Sequence, residues 1–210
     1  MKKWFTSDHH FWHGNIVRMC NRRLNNQRQF DNLEEMHEEL IKRWNEKIGK
    51  HDIVYHLGDF SFRRCVGLLR RLVDRLNGRI ILILGNHDQN EARRYIDAGF
   101  YDVTWHKRIN LGGYRLMLQH YPRFPWINAK GAKADIIVHG HTHVKEQYNE
   151  AGTATRWNVH TEQDETHHED AKIHVGVDAW DFYPVEDLTI IKLCDKLIDK
   201  KTEDGNVCTQ

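Results

Sequence analysis

Five apolar runs in this 210-residue chain each end, within two residues, in a side chain that offers oxygen or nitrogen to a cation. Lys3–Ser7 leads into Asp8-His9-His10, Asp52–Leu57 into Gly58-Asp59, and Ile80–Leu84 into Gly85-Asn86-His87-Asp88. Tyr114–Gln119 leads into His120, and Asp135–His139 into Gly140-His141-Thr142-His143. Short aliphatic and aromatic runs bounded by Gly and polar residues read as buried strands. Helical spacing fills the intervals. Asp31-x-x-Glu34 has the form of a capping box and opens a helix through Leu33, Met36, Leu40, Ile41 and Trp44 that ends near Gly49. Residues 64–77 place Cys65, Leu68, Leu69, Leu72 and Leu76 on one face, and Glu91–Ala98 is a short helix stopped by Gly99. The order β-α-β-α-β-α predicts a parallel sheet covered by helices.

Past Gly99 the pattern turns to strands. Tyr101–Asn110 and Tyr114–Gln119 flank Gly112-Gly113 as a hairpin. Lys172–Val177 and Thr189–Leu193 read as further strands of a second sheet. Residues 144–171 read as a polar loop insertion, rich in acids and in His160, His167 and His168. Residues 1–194 are expected to form a single domain, with 195–210 a polar, frayed tail.

Asp8 and His10 lie two apart, as do His141 and His143, so each pair would share a face on an extended strand end. Carboxylate, imidazole and amide oxygen without thiolate suit Mn, Fe, Zn, Ni or Co rather than a structural zinc knot. One carboxylate can bridge two ions about 3.5–4 Å apart, an arrangement that recurs in attack on phosphorus. Two divalent ions balanced by Asp8 and Asp59 would leave the site net positive and suited to a phosphate ester.

The ordered set Asp8-x-His10, Gly58-Asp59, Gly85-Asn86-His87-Asp88, a lone His120 and Gly140-His141-x-His143 resembles the calcineurin-like metallophosphoesterase family, over roughly Lys3 to Pro184. The resemblance implies an α/β fold: a four-layer α/β/β/α sandwich of two mixed sheets with a dinuclear metal site at the sheet edge. It assigns Asp8, His10 and His143 to one ion, Asn86, His120 and His141 to the other, and Asp59 to both. It makes His87 the residue that protonates the leaving alkoxide or contacts the phosphate, an acid role that imidazole suits at neutral pH. Asp88 is then expected to orient the His87 ring, and His9 is a spacer.

The function implied is hydrolysis of phosphate esters, most readily small phosphodiesters or nucleotides, by a hydroxide held between two divalent transition metals, with Mn the first choice. The chain departs from the protein phosphatase and dinucleoside polyphosphate hydrolase branches, because Gly58-Asp59-Phe60-Ser61-Phe62 replaces the longer G-D-x-x-D motif with its Arg-Gly, and Asp88 stands where G-N-H-E is common. A nucleic-acid phosphodiesterase or nuclease is the first alternative. It is disfavoured by a net charge of +1. A non-catalytic metal-binding interaction scaffold is the second. It is disfavoured because no ligand of the pattern is missing.

His13 and Asn15, on the loop after the first motif, and Arg63 and Arg64, after Asp59, are open between substrate contact and structural roles. Tyr121, Phe124 and Trp126 could stack on a nucleobase or simply pack. Arg70, Arg71 and Arg75 read as a solvated helix face, and Val175–Trp180 as a segment beside the site that either packs or supports its ligands. Cys20, Cys65, Cys194 and Cys208 lack C-x-x-C spacing and read as reduced thiols of a cytoplasmic protein. The first strand starts at Lys3, which leaves no room for a signal peptide, and no run is long enough to span a bilayer. Neither composition nor pattern bears on oligomeric state.

Overall fold

The computed structural model describes residues 1–19, 28, 30–88, 91–122, 136–149, 152–158, 163–169 and 171–204, with the side chains of 18–19, 152–158, 163–169 and 199–204 set aside. In chain order the first half contains β1 (Lys3–Thr6), α1 (Gly14–Met19), α2 (Leu33–Lys47), β2 (Ile53–His56), α3 (Val66–Val73), β3 (Arg79–Ile83), α4 (Ala92–Asp97) and β4 (Asp102–Thr104). The second half contains β5 (His106–Leu111), β6 (Tyr114–Gln119), β7 (Ile136–His139), β8 (Tyr148–Asn149), β9 (Gly152–Asn158), β10 (Gln163–Glu169) and β11 (Lys172–His174). A 3-10 turn (Val177–Ala179), β12 (Val185–Glu186) and α5 (Asp187–Asp204) complete it.

Strands β1 to β4 pair in parallel, with β12 antiparallel on the outer side of β1, in the order β12-β1-β2-β3-β4. The register aligns Trp4 with Val54 and Ile80, and Phe5 with Tyr55 and Ile81. Because strand side chains alternate, the sheet feeds two separate cores. Trp4, Val54, Ile80 and Leu82 join Met36, Leu40, Ile41 and Trp44 of α2, Leu69 and Leu72 of α3 and Tyr95 of α4. Phe5, Tyr55, Ile81 and Ile83 join Leu116, Leu118, Ile136, Val138 and Ile173 of the second sheet. That sheet runs β5-β6-β7-β11-β8, with β6, β7 and β11 mutually parallel and β5 and β8 antiparallel at its edges. Among the described residues the result is a mixed α/β fold with two mixed five-stranded sheets, a separate β9-β10 ribbon and five α-helices.

Several expectations need correction. Thr189–Leu193 is helical, as part of α5. Its β-branched run looked like a strand, but Ile190, Leu193, Cys194 and Leu197 recur at helical spacing and are buried together. The same helix runs to Asp204, so much of the expected frayed tail is helix. The buried face of α5 joins the core that Phe5 and Tyr55 share with the second sheet. The polar segment 144–171 carries β8 and an antiparallel ribbon of β9 and β10, in which Gly152–Asn158 faces Gln163–Glu169. The α2 cap lies one residue later than expected. Asn32 accepts from the Glu35 N–H (2.9 Å), and the Glu35 carboxylate accepts from the Asp31 N–H (2.7 Å). No helix among the described residues is long and apolar enough to cross a membrane.

Parallel, in-register strands finish together. The chain therefore leaves β1, β2 and β3 side by side, and β6 and β7 end beside them. Backbone bonds lock these exits: Asp8 N–H to Gly58 O (2.9 Å), His10 N–H to Asp59 O (3.0 Å) and Gly140 N–H to His120 O (3.0 Å).

Candidate metal centre

Asp8 and His10 do not lie on an extended strand end, which corrects the simple face-alternation argument. Both have left-handed backbone (φ 61° and 52°), as do Asp59 (55°), His141 (71°) and His143 (51°). Left-handed backbone costs an L-residue about 1–2 kcal/mol, and Asp and His are among the residues that accept it best. This curl after each strand turns the side chains inward. His9 points the opposite way, buried against Phe11 and Trp44, with its Nδ1 2.9 Å from His56 Nε2. Glycine is required where the loops touch. A Cβ on Gly85 would overlap Asp59, and one on Gly140 would overlap Ser7 and Asp8.

The convergence forms three overlapping groups: Asp8, His10 and His143; His10, Asp59 and His87; and Asp59, His120 and His141. Within each, the ligand atoms lie within 4.8 Å of one another. Asp59 Oδ2 is 3.5 Å from His10 Nε2 and 3.5 Å from His120 Nε2, so one carboxylate stands between two sets. Asn86 Oδ1 is 2.9 Å from His120 Nε2 and 3.0 Å from His141 Nδ1. All seven ligand candidates thus meet in one place.

The donor set fits divalent cations. His120 Nδ1 is 2.8 Å from the Leu57 carbonyl and can only donate to it, which makes Nε2 the inward nitrogen, the one that would exchange its proton for an ion. His143 Nδ1 faces Asp178 Oδ2 at 2.7 Å, which likewise leaves Nε2 turned toward His10 Nε2 at 3.2 Å. Asp8 is held by the Ser7 hydroxyl (2.5 Å) and the His141 N–H (3.0 Å). Electrostatics agree. Burial works against the charge on His120, but its hydrogen bond to Asp59 and the charges of Asp8 and Asp59 hold its pKa up to about 9. Burial likewise opposes the Asp59 charge, yet its hydrogen bond to His120 keeps the pKa low. Burial and the neighbouring cationic groups push His10 and His141 the other way, toward the neutral imidazole that binds a metal.

Arg28 and Asp178 complete the support. Arg28 meets both Asp178 oxygens (2.9 and 3.1 Å) and donates to the carbonyls of His9 (3.0 Å) and Asp8 (2.5 Å). Burial would raise the Asp178 pKa, but the Arg28 charge and the bonds from His143 and Arg28 bring it far below the carboxylate range. Sequence reasoning left the segment that holds Asp178 open between packing and support of the ligands, and it missed Arg28, which stands in no motif or periodic run.

Asp88 is not an orienter of His87. Its carboxylate accepts from the N–H groups of Asp59 (2.7 Å), Phe60 (2.9 Å) and Gly85 (2.8 Å) and from the Tyr95 hydroxyl (2.9 Å). Four donors fill its acceptor capacity, so Asp88 ties the second and third motif loops together. His87 itself is partly exposed, with Nε2 4.0 Å from Asp59 Oδ2 and its ring against His10 and His13. His13 reaches the site, with its Nδ1 3.2 Å from His10 Nδ1. Tyr121 packs on His141 with centroids 4.6 Å apart. Asn15 and Arg63 are exposed, Asn15 on α1 and Arg63 on the loop before α3. Phe124, Trp126 and His160 lie outside the described residues.

Fold and site together define a protein built for metal-dependent phosphoester chemistry, and residues 1–168 match the calcineurin-like phosphoesterase superfamily domain. The chain belongs to that superfamily. It is 37 % identical over 144 residues to the uncharacterized protein MJ1445 of Methanocaldococcus jannaschii, covering 68 % of this chain and 69 % of that one. It is 30 % identical over 204 residues to the gene 66 protein of Mycobacterium phage L5, covering 84 % and 86 %. Among solved structures, it resembles a protein of unknown function, AQ665, from Aquifex aeolicus. The TM-score is 0.63 at 24 % identity, covering 91 % of this chain and 98 % of that one, a likeness of fold. The family is metal-dependent and supports phosphoester hydrolysis as the activity class.

Proposed function

We propose that this protein hydrolyses phosphate esters with two divalent transition-metal ions, Mn first among them, and acts on small phosphodiesters or nucleotides. The observation that carries the reading is Asp59, shared between two imidazole sets at equal 3.5 Å distances. Asp8, His10 and His143 would hold one ion, Asn86, His120 and His141 the other, and Asp59 both. Ions held there supply Lewis acidity at the phosphoryl oxygens and an activated water at neutral pH. The four-layer sandwich implied by the family pattern and a single domain over 1–194 belong to the same proposal.

The chain's own groups do the rest. Leu57 O and Asp178 fix the ring orientations of His120 and His143, so the inward nitrogens stay available. His87 makes a backbone bond to Asp59 Oδ1 (2.8 Å), while its ring faces the open side of the site. From there it would give a proton to the departing alkoxide. His13 and Tyr121 would contact substrate from opposite flanks, and Arg63 would meet its outer anionic groups. Asn15 is the weakest substrate candidate, because it lies exposed on α1. A polynucleotide substrate is disfavoured because Arg70 and Arg75, on and just beyond α3, are already engaged by the Asp97 carbonyl and Glu38.

Metal analysis with phosphate-release assays on diesters and monoesters, in Mn, Zn and Ni, tests the reading. Asp59→Asn should lose turnover and tight binding of at least one ion. Near-wild-type turnover with full metal content would refute the shared role of Asp59.

A further inference from the structure

Phe62 is 49 % exposed, a large apolar ring left in water beside the candidate site. Its position is nevertheless well defined. One face lies flat on His13, with centroids 4.4 Å apart and planes 6° apart. Its N–H donates to Phe11 O (2.8 Å), and Ser61 Oγ bonds both the N–H and the carbonyl of Arg63 (3.1 Å each). The ring is therefore held before any ligand arrives, which lowers the ordering cost of binding.

The surroundings say what would cover it. The His87 ring is 5.6 Å from Phe62 and 5.3 Å from His13. A leaving oxygen that takes a proton from His87 must lie within about 3 Å of it. A planar group carried a few bonds beyond that oxygen reaches Phe62. An alkyl ester would leave Phe62 in water. Arg63 and Arg64 follow directly, both exposed, and among the described residues neither guanidinium has a partner. They suit a ligand that is anionic as well as planar. Tyr121 is separate, on the flank of His120 and His141.

We infer that the Phe62–His13 stack is a binding platform for a nucleobase or similar planar ring on the leaving alcohol of the phosphate ester. The inference rests on the hydrolase reading and narrows its substrate class. Stacking on an aromatic side chain contributes about 1–3 kcal/mol per base, which is roughly 5- to 150-fold in affinity.

The test compares AMP with ribose 5-phosphate, which share the phosphate and sugar and differ in the base. Binding to the Mn-loaded protein is measured by calorimetry, and phosphate release is followed in the same samples. AMP is expected to bind roughly 5- to 150-fold more tightly. Phe62→Ala should erase that margin while leaving ribose 5-phosphate binding and metal content unchanged, and Phe62→Trp should keep it. Equal affinities in the wild type, no detectable AMP binding, or a margin that survives Phe62→Ala would each overturn the platform. Absence of turnover with every metal and ester would instead refute the hydrolase reading, which the binding margin does not touch.

Discussion

Asp178 Oδ2 lies 2.7 Å from His143 Nδ1. The same carboxylate is gripped on both oxygens by Arg28, with both side chains buried. A ring fixed in this way keeps one tautomer and one orientation.

Asp178→Asn should therefore weaken metal binding by roughly 10- to 100-fold, the usual effect of losing such a support. Arg28→Met keeps the carboxylate on His143 and should hold metal better than Asp178→Asn. Each variant leaves a buried charge without its partner, so both should lose about 3–5 kcal/mol of stability. Metal titration and denaturant unfolding of the two variants separate the effects. If Asp178→Asn bound metal like the wild type, the carboxylate would have no part in holding the ion.

His87→Ala should keep its metal and slow hydrolysis by roughly 10²–10⁴-fold, the range for a lost proton donor. The loss should be greater for alkoxide leaving groups than for nitrophenolate, which departs without a proton. Equal losses for both would show that His87 binds or orders the substrate instead.

Asp88→Ala should behave as a folding defect. It strips four donors of their acceptor in a buried loop junction, and each unsatisfied group costs about 1–3 kcal/mol. Thermal unfolding should show a large drop in Tm. Whatever activity remains should show no added dependence on leaving group, in contrast to His87→Ala. A leaving-group effect like that of His87→Ala would restore Asp88 to the proton-transfer chain.

Acid should destabilise the fold through His9 and His56. Burial, with the charge of Arg28, lowers His9 to about 3. Burial, with the charges of His9 and His120, takes His56 well below its ordinary value. Unfolded, both titrate near 6.5, so below that pH the unfolded chain binds protons that the native one refuses. Their contribution is whole above about pH 6.5 and is lost as pH falls toward the folded values, by at most about 1.4 kcal/mol per unit for each. Urea unfolding from pH 7 to 5 should give a flatter stability profile for His56→Gln than for the wild type. Identical slopes would show that His56 is not a neutral buried group.

The metal-binding candidates were legible because the chemistry is local: each ligand type follows an apolar run, and the runs read as strands. Long-range partners were not legible. Arg28 lies 150 residues from Asp178, and its single guanidinium carries no periodicity. Asp88 was misjudged because adjacency to His87 suggested a pairing, whereas its side chain turns back to the N–H groups of Asp59 and Phe60. The α5 helix was misread because Thr189-Ile190-Ile191 has strand-like residues, and only the spacing from Ile190 to Leu197 shows the helical face. Phe62 escaped notice because one exposed aromatic has no pattern to betray it.

Five of the seven metal-ligand candidates occupy left-handed backbone, so five of the strained positions among the described residues open onto one small volume. Whatever fills that volume helps hold those turns closed. The heat resistance of this protein is then partly a property of the fluid around it. A hundredfold excess of an ion over its Kd adds about 2.7 kcal/mol to the folded state, and a medium poor in that ion withholds it. The same sequence would be sturdy in one solution and fragile in another, with no residue changed.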